Sequence, residues 1–88
     1  MKISTKGRYA LRILADIAEH GVEKNVPIRE IAERQGFSDK YLEGIVSRLS
    51  SAGLVKSGRG KYGGYRLVKL PAEYNVYEIL YAAEDSIA

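Results

Sequence analysis

Lys40, Gly44, Ser47 and Ser51 fall on one line of a helix that advances by about 100° per residue, with Tyr41, Glu43 and Arg48 on its shoulders. Small side chains down the centre and hydrogen-bonding groups on both flanks suit close approach to a polar groove, such as the major groove of a nucleic-acid duplex. A glycine inside a helix costs about 1 kcal/mol relative to alanine, and Gly44 has no capping task. Close approach by a ligand is therefore the expectation for this stripe, against the plainer one of a solvated surface. A second basic group follows, with Arg59, Lys61, Tyr62 and Arg66 set among Gly58, Gly60, Gly63 and Gly64. Cations on a glycine-rich tip suit contact with phosphates, or an arginine slipped into a narrow minor groove; Tyr41 and Tyr62 could hydrogen-bond phosphate as well.

Several elements are needed to position these groups. Leu42, Ile45, Val46 and Leu49 form the buried face opposite the stripe, Ser38 is the N-cap and Gly53 the stop, which predicts a helix over 38–51. Before it, Pro27 opens a short helix over 28–35 with Ile28, Ile31 and Ala32 on one face, and Gly36 closes it. The small Ala32, the turn glycine Gly36 and the apolar Leu42 and Ile45 stand where a helix-turn-helix needs them, with Phe37 plugging the turn into the core. Residues 54–57 and 65–69 read as two strands joined by a loop over 58–64. The spacing of Gly58, Gly60 and Gly63 matches a dinucleotide-binding pattern, but that chemistry requires a following helix, and a strand follows here.

Two flanking helices supply the scaffold. The first starts at Ser4 or Thr5 and ends at His20; between its first-turn Thr5 and Lys6 and the terminal His20, its charged residues are Arg8, Arg12, Asp16 and Glu19, and apolar residues fill most of the rest, so it is packed on more than one side. That mixed-charge stripe is expected to face solvent or a second copy. The last helix begins at Asn75, with Glu78 completing a capping box, Tyr74 stapled against Ile79, and Val76, Ile79, Leu80, Ala83 and Ile87 on one face. The fold expected is α+β: a winged helix-turn-helix, mainly helical with a two-stranded wing, occupying 1–88 as one domain.

Charge sharpens the picture. The formal net charge is only +3, yet residues 34–69 hold eight basic side chains against two acids, and residues 70–88 hold four acids and no base. Positive charge gathered on the helix-and-wing half marks a polyanion partner. Nothing in the 88 residues resembles a signal peptide or a membrane span, so a cytoplasmic protein without a membrane partner is expected. An enzyme is not expected. The single His20 sits at a helix end where the helix dipole explains it, and Asp16 with Glu19, or Glu30 with Glu33, read as solvated carboxylates rather than acid–base or metal sites. Cysteine is absent, so this segment offers no thiolate site and no cofactor of its own.

Met1-Lys-Ile-Ser-Thr-Lys-Gly-Arg-Tyr-Ala, Ile31-Ala-Glu-Arg-Gln-Gly-Phe-Ser, Tyr41-Leu-Glu, Arg48-Leu, Ala52-Gly-Leu-Val, and Arg59-Gly with Tyr62-Gly-Gly-Tyr together resemble the bacterial winged-helix regulators that include IscR, NsrR and CymR. The resemblance spans essentially the whole chain. It implies a homodimeric transcription factor, a repressor or activator, on a two-fold double-stranded DNA operator, responding to an iron–sulfur cluster, nitric oxide or a cysteine-metabolism signal. It also implies that Ser38, Lys40, Tyr41 and Glu43 occupy the recognition-helix contact positions and Arg59 the minor-groove contact of the wing. IscR-like members carry serine where this chain has Lys40 and glutamine where it has Gly44, so their operator preference does not carry over. Family members continue through a loop with cluster-ligand cysteines and a long dimerisation helix. This chain is therefore expected to be a fragment, mainly monomeric, with any iron–sulfur cluster and the homodimer belonging to the full-length protein. Two other functions compete: a winged-helix protein-interaction module, which would need an apolar outward stripe, and double-stranded RNA binding through the same basic face.

Overall fold

The computed structural model describes residues 3–21, 24–58 and 63–84. Its elements, in order, are α1 (Thr5–His20), α2 (Ile28–Gln35), α3 (Asp39–Ser51), β1 (Val55–Gly58), β2 (Gly64–Leu67), a 3₁₀ turn (Pro71–Glu73) and α4 (Val76–Ala83). Three of the four helices begin at a side-chain cap, and α2 begins directly after Pro27 with none. The Ser4 hydroxyl accepts from the Gly7 N–H and the Ser38 hydroxyl from the Tyr41 N–H, and Asn75 and Glu78 form the reciprocal capping box of α4. Helices α2 and α3 end alike, with Gly36 and Gly53 in the left-handed region and the next N–H reaching back, Phe37 to Ala32 and Leu54 to Leu49.

The core is apolar and shared by all four helices. Ile13, Ile17, Ile31, Leu42, Ile45, Val46 and Leu49 are each no more than 1% exposed. Helix α1 packs against α2, α3, β2 and, most extensively, α4, as expected of a helix apolar over most of its circumference. The antiparallel pair β1–β2 has the register Val55↔Leu67, Lys56↔Arg66, Ser57↔Tyr65 and Gly58↔Gly64. The first strand lies one residue later than expected, the second starts one residue earlier and stops two earlier, and Val68 is exposed beyond the ladder. Val26, ahead of α2 and outside both strands, makes an antiparallel bridge to Tyr65, with N–H···O distances of 2.8 and 2.9 Å in the two directions.

Three expectations need correction. Asp16 is not on a solvated face: it is 3% exposed and receives two hydrogen bonds from Arg34 (2.9 and 2.7 Å) and one from Gln35 (2.9 Å). A buried carboxylate is tolerable only when its lone pairs are filled by donors, and α2 supplies them. The mixed-charge stripe of α1 is consequently not a free surface for a second copy, because Arg12 is also engaged, its guanidinium donating to the Gln35 side chain (3.1 Å) and backbone carbonyl (3.4 Å). Val76 is 52% exposed rather than packed, since α4 turns Ile79 and Ala83 to the core and leaves Val76, Tyr77 and Tyr81 outside. The Tyr74 ring packs on the core, and its hydroxyl donates to the Leu54 carbonyl (2.6 Å) and accepts from the Val68 N–H (3.0 Å), tying the turn before α4 to both strands at the end of the ladder away from the wing loop. Ile87 lies outside the described residues.

Candidate nucleic-acid interface

Helix α3 separates its faces sharply. Leu42, Ile45, Val46 and Leu49 are buried, while Lys40, Glu43, Gly44, Ser47 and Ser51 are exposed, as is the capping Ser38. An ideal Cβ built on Gly44 meets no atom within 4 Å. Nothing inside this molecule therefore asks for glycine there, and the small centre of the stripe is open to an incoming groove. Alanine at this position is expected to raise folding stability by about 1 kcal/mol, read from denaturant unfolding. No gain would mean that Gly44 serves the fold.

The N-terminal end of α3 is fixed by a surface aromatic cluster. The Tyr9 and Phe37 rings lie 4.2 Å apart, Tyr41 meets Tyr9 edge-on at 5.6 Å, and the Arg12 guanidinium sits over Tyr9 and Phe37 at 5.6 and 5.1 Å. Phe37 thus plugs the turn, as expected: half-buried, it packs against the core cluster and on Tyr9 of α1. Tyr41 is 37% exposed, so its ring is held from behind while part of it faces outward. Arg48 is half-buried on the flank of α3.

Below this cluster lies the Asp16 anchor. Burial alone raises the Asp16 pKa, but hydrogen bonds from Arg34 and Gln35 and the charges of Arg34 and His20 outweigh it and hold the carboxyl below its ordinary value. Glu30 adds a longer ion pair to Arg34 at 3.6 Å. Arg12, Asp16 and Gln35 together lash α2 to α1, which sets the angle at which the turn delivers α3. Helix periodicity does not mark these residues as supports. The available signal was Arg34-Gln35 directly before the turn glycine, two donors in need of an acceptor.

On the wing, Arg66 is exposed on β2, directly opposite the exposed Lys56 on β1. Arg59, Lys61 and Tyr62 lie outside the described residues. The structure thus brings Ser38, Lys40, Tyr41, Glu43, Gly44, Ser47 and Arg48 onto one helix and puts Arg66 on the wing ladder. Among the described residues, no three His, Cys, Asp or Glu side chains gather to hold a metal.

Comparison with known proteins agrees with this architecture. The model of the Rrf2 family, described as iron-dependent transcriptional regulators, matches residues 3–88. The transcriptional regulator IscR of Photorhabdus laumondii is 46% identical over 87 residues, covering 99% of this chain and 53% of that protein. Protein rrf2 of Nitratidesulfovibrio vulgaris is 45% identical over 85 residues, covering 97% and 57%. Among solved structures, CymR, the global cysteine regulator of B. subtilis, superposes with a TM-score of 0.89 at 44% identity, over 96% of this chain and 65% of that one. IscR of T. potens superposes at 0.87 and 44% identity, over 100% and 64%. The chain spans about half the length of the curated relatives it matches. With a winged helix-turn-helix in place and a family match over nearly its whole length, this chain belongs to the Rrf2 family of transcriptional regulators.

Proposed function

We propose that this domain binds operator DNA, laying the outward stripe of α3 in the major groove and the basic wing on the minor groove or its phosphates. The observation that carries the reading is the α3 face itself: polar, exposed, and open at Gly44, on a helix whose other face is wholly buried. Lys40, Ser47 and the Ser38–Tyr41 cap supply donors for phosphates and base edges, and Glu43 is the acceptor suited to a cytosine amino group. Arg48 flanks the stripe, and Arg59, Lys61, Tyr62 and Arg66 supply the wing contacts. A protein-docking role for this face is not favoured, because Tyr41 is the one exposed large hydrophobic on α3, whereas Val76, Tyr77 and Tyr81 cluster on α4.

In the full-length protein we place two such domains in a homodimer on a palindromic operator, acting in the cytoplasm as a repressor or activator. Iron–sulfur chemistry, where the full-length protein has it, belongs outside these 88 residues, which contain no cysteine.

The test is a binding titration over a panel of single-base operator variants. Glu43→Ala is expected to relax discrimination at one base pair by roughly 1 to 3 kcal/mol while barely changing, or even raising, non-specific affinity. Unchanged discrimination across the panel would reduce Glu43 to a surface residue and remove base reading from this part of α3.

A further inference from the structure

Lys56 and Arg66 stand directly opposite one another in the β1–β2 ladder, and both are exposed. Like charges at directly opposed positions destabilise a sheet, yet neither side chain has an ion pair among the described residues. The contrast with neighbouring Lys69 is informative, since its Nζ lies 2.9 Å from a Glu78 carboxylate oxygen. The pair is two register steps from Gly58↔Gly64, the last described pair before the wing loop, and so about 7 Å along the strands from the loop's base. Arg59 and Lys61 follow in that loop by sequence.

We propose that Lys56 and Arg66 together form one seat for a single backbone phosphate of duplex DNA, beyond the contacts made by the wing loop. The proposal rests on the DNA-binding reading above and adds Lys56 to it. Side chains at directly opposed positions start about 5 Å apart, close enough for an ammonium and a guanidinium to converge on one phosphate. The bound anion would cancel the repulsion that the free ladder retains. The pair borders a groove lined also by Ile17, Lys69, Leu70 and Glu73, for which an acidic protein segment is the weaker occupant. In that groove Lys69 is already neutralised by Glu78, and Glu73 adds a negative charge beside Leu70. Among the described residues lining it, the cations without an ion pair are Lys56 and Arg66, on the strands that lead to the wing loop.

The test measures affinity of the chain for the duplex it selects from a randomised pool, between about 50 and 200 mM salt. Lys56→Gln, Arg66→Gln and the double variant are compared with the unaltered chain. The double variant is expected to lose about one contact, reducing the slope of log affinity against log salt by about 0.9 and binding roughly ten-fold more weakly at 50 mM. That loss should be the same on every sequence. Lys56→Glu is expected to raise the melting temperature, by placing opposite charges across the ladder, while weakening binding more than Lys56→Gln does. A slope unchanged in the double variant would overturn the seat, and so would single losses that sum to two full contacts, which would mean two separate phosphates. In both cases the unaltered chain would still bind DNA with a steep salt dependence and the wider reading would survive. An unaltered chain that bound no duplex at all would overturn both.

Discussion

Asp16→Ala is expected to lower folding stability by roughly 2 to 3 kcal/mol. A charge-assisted hydrogen bond contributes about 1.5 to 3 kcal/mol net, and breaking a buried ion pair costs about 3 to 5 kcal/mol. Three donors lose their acceptor here, but Arg34 keeps partial access to water with its side chain 32% exposed, which brings the cost to the lower end. The pH dependence follows from the sign of the shift. The Asp16 carboxyl is held below the ordinary aspartate value of 3.8, so its contribution is fully present above that value and is lost as pH falls through the lower, folded-state pKa. Denaturant unfolding as a function of pH should show the normal chain losing stability on the acid side, with Asp16→Asn less stable at neutral pH and flatter below pH 4. Parallel acid profiles for the two chains would mean that the carboxylate charge is not what ties α1 to α2.

Gly64→Ala is expected to cost at least as much, about 3 kcal/mol. Gly64 has φ +143°, and an ideal Cβ there would lie 2.5 Å from the Val26 carbonyl carbon and 2.7 Å from the Pro27 nitrogen. Backbone strain of this kind is worth about 1 to 3 kcal/mol, and the clash falls on main chain that cannot rotate away. Relief would require giving up the Val26–Tyr65 bridge. The variant should therefore lose hydrogen-exchange protection first at Val26 and Tyr65, whose amides make that bridge. Normal protection there, with unaltered stability, would show that the strand can shift aside at little cost.

The local elements were legible because their signals are local. Ser4, Ser38 and Asn75 announce helix starts, Gly36 and Gly53 announce stops, and the i, i+3, i+4 spacing of Leu42, Ile45, Val46 and Leu49 fixes which side of α3 is buried. The same spacing gave the outward stripe of the candidate site as its complement. What escaped was non-local. Counting helix faces groups Asp16 with Arg8, Arg12 and Glu19, and only the arrival of Arg34 and Gln35, 18 and 19 positions away, makes its burial tolerable. The Val26–Tyr65 bridge joins residues on either side of the entire helix-turn-helix, and no pattern within the loop records it. Val76 was misplaced because apolar residues cover most of α4, so composition alone cannot say which of them meets the core. The opposition of Lys56 to Arg66 depends on register, which a strand pair displaced by one residue would have altered.

Titration of the isotopically labelled chain with its selected duplex, followed by amide chemical shifts in two-dimensional NMR, tests the central claim most directly. Expected is a saturable, salt-sensitive set of shifts concentrated on Lys40, Tyr41, Glu43, Gly44 and Ser47, extending to Lys56 and Arg66, with the exposed Val76–Tyr81 face of α4 unmoved. Shifts confined to α4, with the α3 stripe silent at saturating duplex, would contradict the assignment of this face to DNA.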